Sequence, residues 1–184
     1  LLHPDDRIPN SRDRYYLMKY DVATGLSERL TYGSHNVYLN DISPDGKKLL
    51  CSTSKPDITR CPFSLSSLFE IDLTTLQADT LVAWDAYLGS ASYSPDGKQL
   101  LVTGSPSAFG GIGKNCGEHP IANDFDTQAF IMDLATKKVQ AITRDFNPTV
   151  SPVQWNRVDG CIYFDTTDGD CRHIYRYVPK TGGF

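Results

Sequence analysis

The chain reads as all-β: about three and a half four-stranded antiparallel blades belonging to a larger β-propeller. Three observations predict this. The pentapeptide Ser-Pro-Asp-Gly-Lys occurs twice, beginning at Ser43 and at Ser94, and a degraded third copy reads Asn156-Arg157-Val158-Asp159-Gly160. Each copy is followed by a short apolar run. A second, different hairpin alternates with the first. A repeat of this length means that one supersecondary unit has been copied, and a single such unit cannot bury its apolar faces alone.

The tight turn comes first. Pro44 and Pro95 pre-set φ near −65° for the first corner. Asp45 and Asp96 can fold their carboxylates back onto nearby backbone N–H groups, and Gly46 and Gly97 supply the positive φ needed to re-enter a strand. Asp159 and Gly160 keep two of these three residues in the third copy. The strands that follow are Leu49-Leu50-Cys51, Leu100-Leu101-Val102 and Cys161-Ile162-Tyr163-Phe164. Short apolar runs bounded by turn signals suit strands buried on both faces. One large apolar residue precedes each turn: Ile42, Tyr93 and Trp155.

The second hairpin opens with Leu17-Met18-Lys19-Tyr20-Asp21, Leu68-Phe69-Glu70-Ile71-Asp72 and Ala129-Phe130-Ile131-Met132-Asp133. Short polar loops follow, and return strands end at Leu30-Thr31, Leu81-Val82 and Ile142-Thr143. A fourth copy starts at His173-Ile174-Tyr175-Arg176-Tyr177. Asp21, Asp72 and Asp133 mark the phase at separations of 51 and 61 residues, and the matching Val178 lies 45 residues after Asp133. The shortest spacing is the bare unit, of blade size. The expected blades cover about 15–54, 67–105, 127–168 and 172–184 of one propeller domain over 1–184, with insertions at about 55–66 and 106–126. Three and a half blades do not close a ring, and the chain begins with Leu1, so it is expected to be a piece of a longer protein that self-associates through open edges.

Ser-Pro-Asp-Gly-Lys before an apolar strand, alternating with apolar-x-Asp hairpins, resembles the propeller repeat of TolB-type proteins. The same WD-like unit occurs in the amino-terminal propellers of the prolyl oligopeptidase and dipeptidyl peptidase IV family. The stretch from Ser107 to Asn115, followed by Asp126-Thr127-Gln128-Ala129-Phe130-Ile131, is similar to bacterial members of that peptidase family. The resemblance implies a non-catalytic propeller that gates or positions a peptide substrate for a C-terminal α/β-hydrolase domain lying outside this chain. It favours a periplasmic or otherwise extracytoplasmic address. An adjacent Glu-Glu pair holds the substrate amino terminus in dipeptidyl peptidase IV relatives. Here Glu28, Glu70 and Glu118 are all isolated, so that role is not carried over. The alternative is a TolB-like scaffold that binds proteins and has no enzymatic activity.

Composition narrows the classes. Net charge is −4 with no basic stripe, so phosphate-backbone binding has no electrostatic footprint. No apolar run approaches the length of a membrane span. Of five cysteines, Cys51 and Cys161 fall in strands as small buried hydrophobes, while Cys61, Cys116 and Cys171 fall in loops. No Gly-x-Ser-x-Gly elbow is present, and His3, His35, His119 and His173 lie in loops or at strand starts, so no catalytic residue is assigned. Cys116-x-x-His119 is a single pair of metal ligands, and Gly110-Gly111-Ile112-Gly113-Lys114 is followed by Asn115, where a Walker loop needs Ser or Thr. Neither a metal nor a cofactor is expected. Asp168-Gly169-Asp170 and Asp124-Phe125-Asp126 do not match an EF-hand loop and read as turns. A propeller lyase or glycosidase would need acid and base residues on inner strands, where the candidates are mostly apolar. Recognition therefore falls to the long loops, with Phe109, Gly110, Gly111, Ile112 and Lys114 as the candidate substrate or partner segment.

Overall fold

The computed structural model describes residues 14–116 and 125–184. The repeat dictates the local structure. In the first two copies Ser43 and Ser94 each accept a backbone bond from the turn glycine (2.8 and 2.9 Å), and Gly46 and Gly97 sit at φ +70° and +69°. The serine hydroxyl donates to the turn aspartate in both copies (2.6 and 2.7 Å), and that aspartate accepts the N–H of Lys47 or Lys98. Side chain and backbone thus specify one turn twice. The third hairpin has the same length, but its glycine falls one place later, so the turn closes from Gly160 N to Asn156 O (3.1 Å).

Four sheets result. The first pairs β1 (Met18–Tyr20) with β2 (Ser27–Arg29). The second is a meander of β3 (Val37–Ile42), β4 (Lys48–Pro56), β5 (Ser64–Asp72) and β6 (Ala78–Asp85). The third runs β7 (Leu88–Tyr93), β8 (Gln99–Gly104), β9 (Gln128–Asp133) and β10 (Val139–Ala141). The fourth holds β11 (Thr149–Trp155), β12 (Ile162–Asp168) and β13 (Cys171–Tyr177). All pairings are antiparallel.

The blade phase differs from the expected one. Blade limits at 15–54 and 67–105 join each Pro-Asp-Gly hairpin to the hairpin before it, whereas the sheets join it to the hairpin after it. The cause is the β4–β5 pairing, in register over nine residue pairs from Lys48↔Asp72 to Pro56↔Ser64. It takes up both ends of the expected 55–66 insertion and leaves a loop at 57–63. The 106–126 insertion does join β8 to β9, and it opens with one kinked turn, α1 (Ala108–Gly111).

The apolar runs of β4 and β8 are dry on both faces, as expected, whereas β12 is buried on one face only: Ile162 and Phe164 are buried and Tyr163 between them is partly exposed. Leu50, Cys51, Leu100 and Val102 are fully buried. Successive sheets stack through shared cores. Leu49, Cys51 and Ile71 meet Leu17 and Leu30 beside β1–β2; Leu50 and Leu68 meet Tyr93, Leu100 and Phe130 in the third sheet; Leu101 and Ile131 meet Ile162 and Phe164 in the fourth. The first strands of the second and third sheets also touch, Tyr93 N donating to Asp41 Oδ2 across 2.8 Å. Sheets stacked face to face and meeting at their first strands form a partial β-propeller. Cys51 and Cys161 are buried, while Cys61, Cys116 and Cys171 are exposed; against expectation, Cys161 lies just before β12 rather than in a strand, and Cys171 opens β13 rather than lying in a loop.

Candidate functional site at the loop face

The meander sorts the connections to two ends. Each β3-type strand runs into a Pro-Asp-Gly turn and each β5-type strand into an Asp-Thr turn, so these tight turns share one end. The 57–63 loop, the β6–β7 link and the 105–127 insertion come out at the other end.

The turn end is built for rigidity. Asp21, Asp72 and Asp133 each accept bonds from N–H groups two or three residues on (2.8–2.9 Å). Their carboxyls are held below the usual range, by the backbone N–H of Thr24, the backbone N–H of Thr75 and the hydroxyl of Thr136 respectively. Asp45 and Asp96 are lowered chiefly by the hydroxyls of Ser43 and Ser94. Asp159 is lowered by the Cys161 N–H and then by the Tyr163 hydroxyl. Between the first two turns lies a small cavity of about 200 Å³ beside Lys48, Glu70 and Tyr93. Glu70 is 5% exposed; it accepts from the Tyr93 hydroxyl (2.7 Å) and the Lys48 ammonium (2.9 Å). One oxygen thus joins the second sheet to the third through Tyr93, and the other pairs with Lys48 inside its own sheet.

The loop end holds a cavity of about 800 Å³. Its walls come from five segments: Cys61 and Pro62 of the β4–β5 loop, the β6–β7 link from Ala86 into β7 at Gly89, Thr103 to Ser105 at the end of β8, Phe125 to Thr127 at the far root of the insertion, and Ser151 of β11. β7 is the edge strand of its sheet and irregular at this point, with a register shift between Leu88 and Ala91. Glycine is required at Gly89, where a Cβ would lie 2.7 Å from Thr103 Oγ1 and 3.0 Å from Thr103 O. Among the described residues no lysine, arginine or histidine lines the cavity, and one carboxylate does: Asp126, which accepts from the Thr149 hydroxyl. Phe125 is 98% exposed at the rim. Such a wall suits an uncharged or cationic ligand with apolar groups. The cavity's polar side chains among the described residues include Ser105, Ser151, the Cys61 thiol and the Asp126 carboxylate.

Of the residues singled out in the sequence, Phe109, Gly110, Gly111, Ile112 and Lys114 lie behind this cavity and do not line it. The Phe109 ring sits edge-on to Phe130, centroids 5.2 Å apart. Ile112 and Lys114 are exposed. The true lining, Tyr87 to Gly89 and Gly104 to Ser105, carries no motif; its signal was its position at the roots of an over-long loop. His119 and Asp124, raised with Cys116 as metal ligands, lie outside the described residues. Among the described residues no group of three or more His, Cys, Asp or Glu is placed to hold a metal ion, and no helix is long and apolar enough to cross a membrane.

No protein-family model matches the chain, and no curated relative does. Solved structures do. TolB from Acinetobacter baumannii superposes with a TM-score of 0.61 at 22% identity over 91% of this chain and 36% of its own. An oligogalacturonate lyase from Vibrio parahaemolyticus gives 0.66 at 18% identity over 92% of this chain and 46% of its own. Dipeptidyl peptidase 4 from Porphyromonas gingivalis gives 0.60 at 10% identity over 91% of this chain and 29% of its own. At these identities the likeness is one of fold. The chain spans less than half the length of each of these three proteins. Fold and repeat together define the class: a partial β-propeller, similar in fold to TolB.

Proposed function

We propose that the chain is the non-catalytic propeller portion of a serine peptidase of the prolyl oligopeptidase family, and that its loop-face cavity positions a peptide for a hydrolase domain. The observation that carries this reading is the convergence of both over-long loops on one end of the sheets, around a cavity of about 800 Å³. Among the described residues the wall holds an acid and no cation, which suits a peptide backbone with neutral or basic side chains. The likenesses to a dipeptidyl peptidase and to an acylaminoacyl peptidase support the same reading.

A TolB-like binding scaffold is the second reading, favoured by the 22% identity with TolB. The two diverge in the gene. The peptidase reading expects the open reading frame to continue into a Gly-x-Ser-x-Gly elbow followed by Asp and His. A frame that stops soon after the propeller would overturn it. In either case the isolated chain should neither hydrolyse peptide substrates nor react with a serine-directed inhibitor.

A further inference from the structure

Asp85, the last residue of β6, spends its two carboxylate oxygens on two different segments. Oδ1 accepts from Tyr87 N (2.8 Å), in the link that forms one wall of the loop-face cavity. Oδ2 accepts from Phe109 N (2.7 Å), in the insertion whose near root, Ser105, forms the adjoining wall. The two segments also meet directly, Ser105 N donating to Tyr87 O (3.0 Å).

The insertion root is seated tightly. Ala108 is fully buried. A Cβ at Gly104 would stand 2.7 Å from Tyr87 O and 3.1 Å from Ala108 Cβ, and one at Gly113 would stand 2.4 Å from Gln128 Oε1. The seat also holds strain, because Phe109 adopts φ 55°, ψ 39°, a left-handed conformation that a bulky residue avoids. A backbone in that state persists only where its surroundings over-determine it. Here the Asp85 bond to the Phe109 N–H and the edge contact with Phe130 do so.

We infer that Asp85 is the latch of the loop face: one side chain fixes the β6–β7 link and the 105–114 root relative to each other, and so sets the shape of the cavity whichever molecule enters it. The inference does not depend on the peptidase reading. Removing the carboxylate frees a strained turn on one side and an unpaired link on the other, while the sheets behind them stay intact.

Hydrogen exchange on the intact chain tests this with two variants. In Asp85→Ala, amides in 86–89 and 105–114 should both exchange about tenfold faster, the loss expected for bonds to a charged acceptor. Amides of β12 and β13 should be unchanged. In Asp85→Asn, which keeps the volume and one acceptor oxygen, only one of the two segments should be released. A side chain that merely filled space would leave Asp85→Asn protected at both, and that result overturns the inference. So does an Asp85→Ala protein whose 105–114 exchange stays within about twofold of the parent. Should Asp85→Ala lose protection throughout, the Asp85→Asn pattern decides alone.

Discussion

The aspartates of the repeat hold charge where the backbone offers donors, and this makes their contribution to stability depend on pH. Asp45 and Asp96 are lowered first by serine hydroxyls and then by the N–H groups of Lys47 and Lys98, and Asp21 and Asp72 by threonine N–H groups. A carboxyl whose pKa is lower folded than unfolded adds stability that is present above its unfolded value, about 3.9, and is lost as pH falls through the folded one. Melting temperature should therefore be level between about pH 5 and pH 8 and fall below about pH 4. The double variant Asp45→Asn, Asp96→Asn should melt lower at neutral pH and show a shallower acid slope. Parallel curves for the two proteins would remove the carboxylates from the account. At this scale the sequence was legible, because Ser-Pro-Asp-Gly-Lys names a turn, its donors and its acceptor within five residues. Asp85 was not: its partners are two and 24 positions away, and nothing in Trp84-Asp85-Ala86 announces them.

Between elements, the seam of the second and third sheets rests on a polar bridge inside an apolar core. The Tyr93 hydroxyl is raised by burial first and then by its bond to Glu70, and the Lys48 ammonium is raised chiefly by the same carboxylate. Burial alone pushes the Cys51 thiol up to about 12. All three signs agree: groups raised on folding add stability below their unfolded values and lose it as pH climbs above about 9 to 10. Tyr93→Phe leaves a buried carboxylate oxygen without its donor and should cost about 1–3 kcal/mol in denaturant unfolding at neutral pH. It should also flatten the alkaline limb. An unchanged midpoint together with an unchanged limb would show that the bridge does not hold the seam. The sequence revealed the strands but not their grouping. Both hairpin types have short loops, and the pairing that decides the phase runs through Lys55-Pro56 and Ser64-Leu65-Ser66, which carry no continuous apolar run. It also gave no sign of Glu70 bridging two sheets, since the matching position in the next sheet is Ile131, opposite Leu101 as Glu70 is opposite Leu50.

Across the whole molecule, a stack of sheets exposes what the next sheet would cover. Among the described residues the β1–β2 ribbon has two strands, and Met18 and Tyr20 on one face of it are 53% and 62% exposed. Two-stranded ribbons and open edges are marginal in water and tend to pair. Light scattering should show a mass that rises with concentration, and a strictly monomeric mass up to about millimolar would contradict the expected self-association. The loop face was the least legible feature. Its cavity is assembled from backbone, glycines and small side chains in five separate segments, which only the fold brings together. The most direct measurement of its role is an amide NMR titration of the chain with an unstructured peptide carrying neutral and basic side chains. The account predicts shifts concentrated at Tyr87, Leu88, Gly89, Ser105 and Thr127, with the peptide recovered uncut. Shifts confined to the turn end, no shifts at millimolar peptide, or cleavage of the peptide would contradict it.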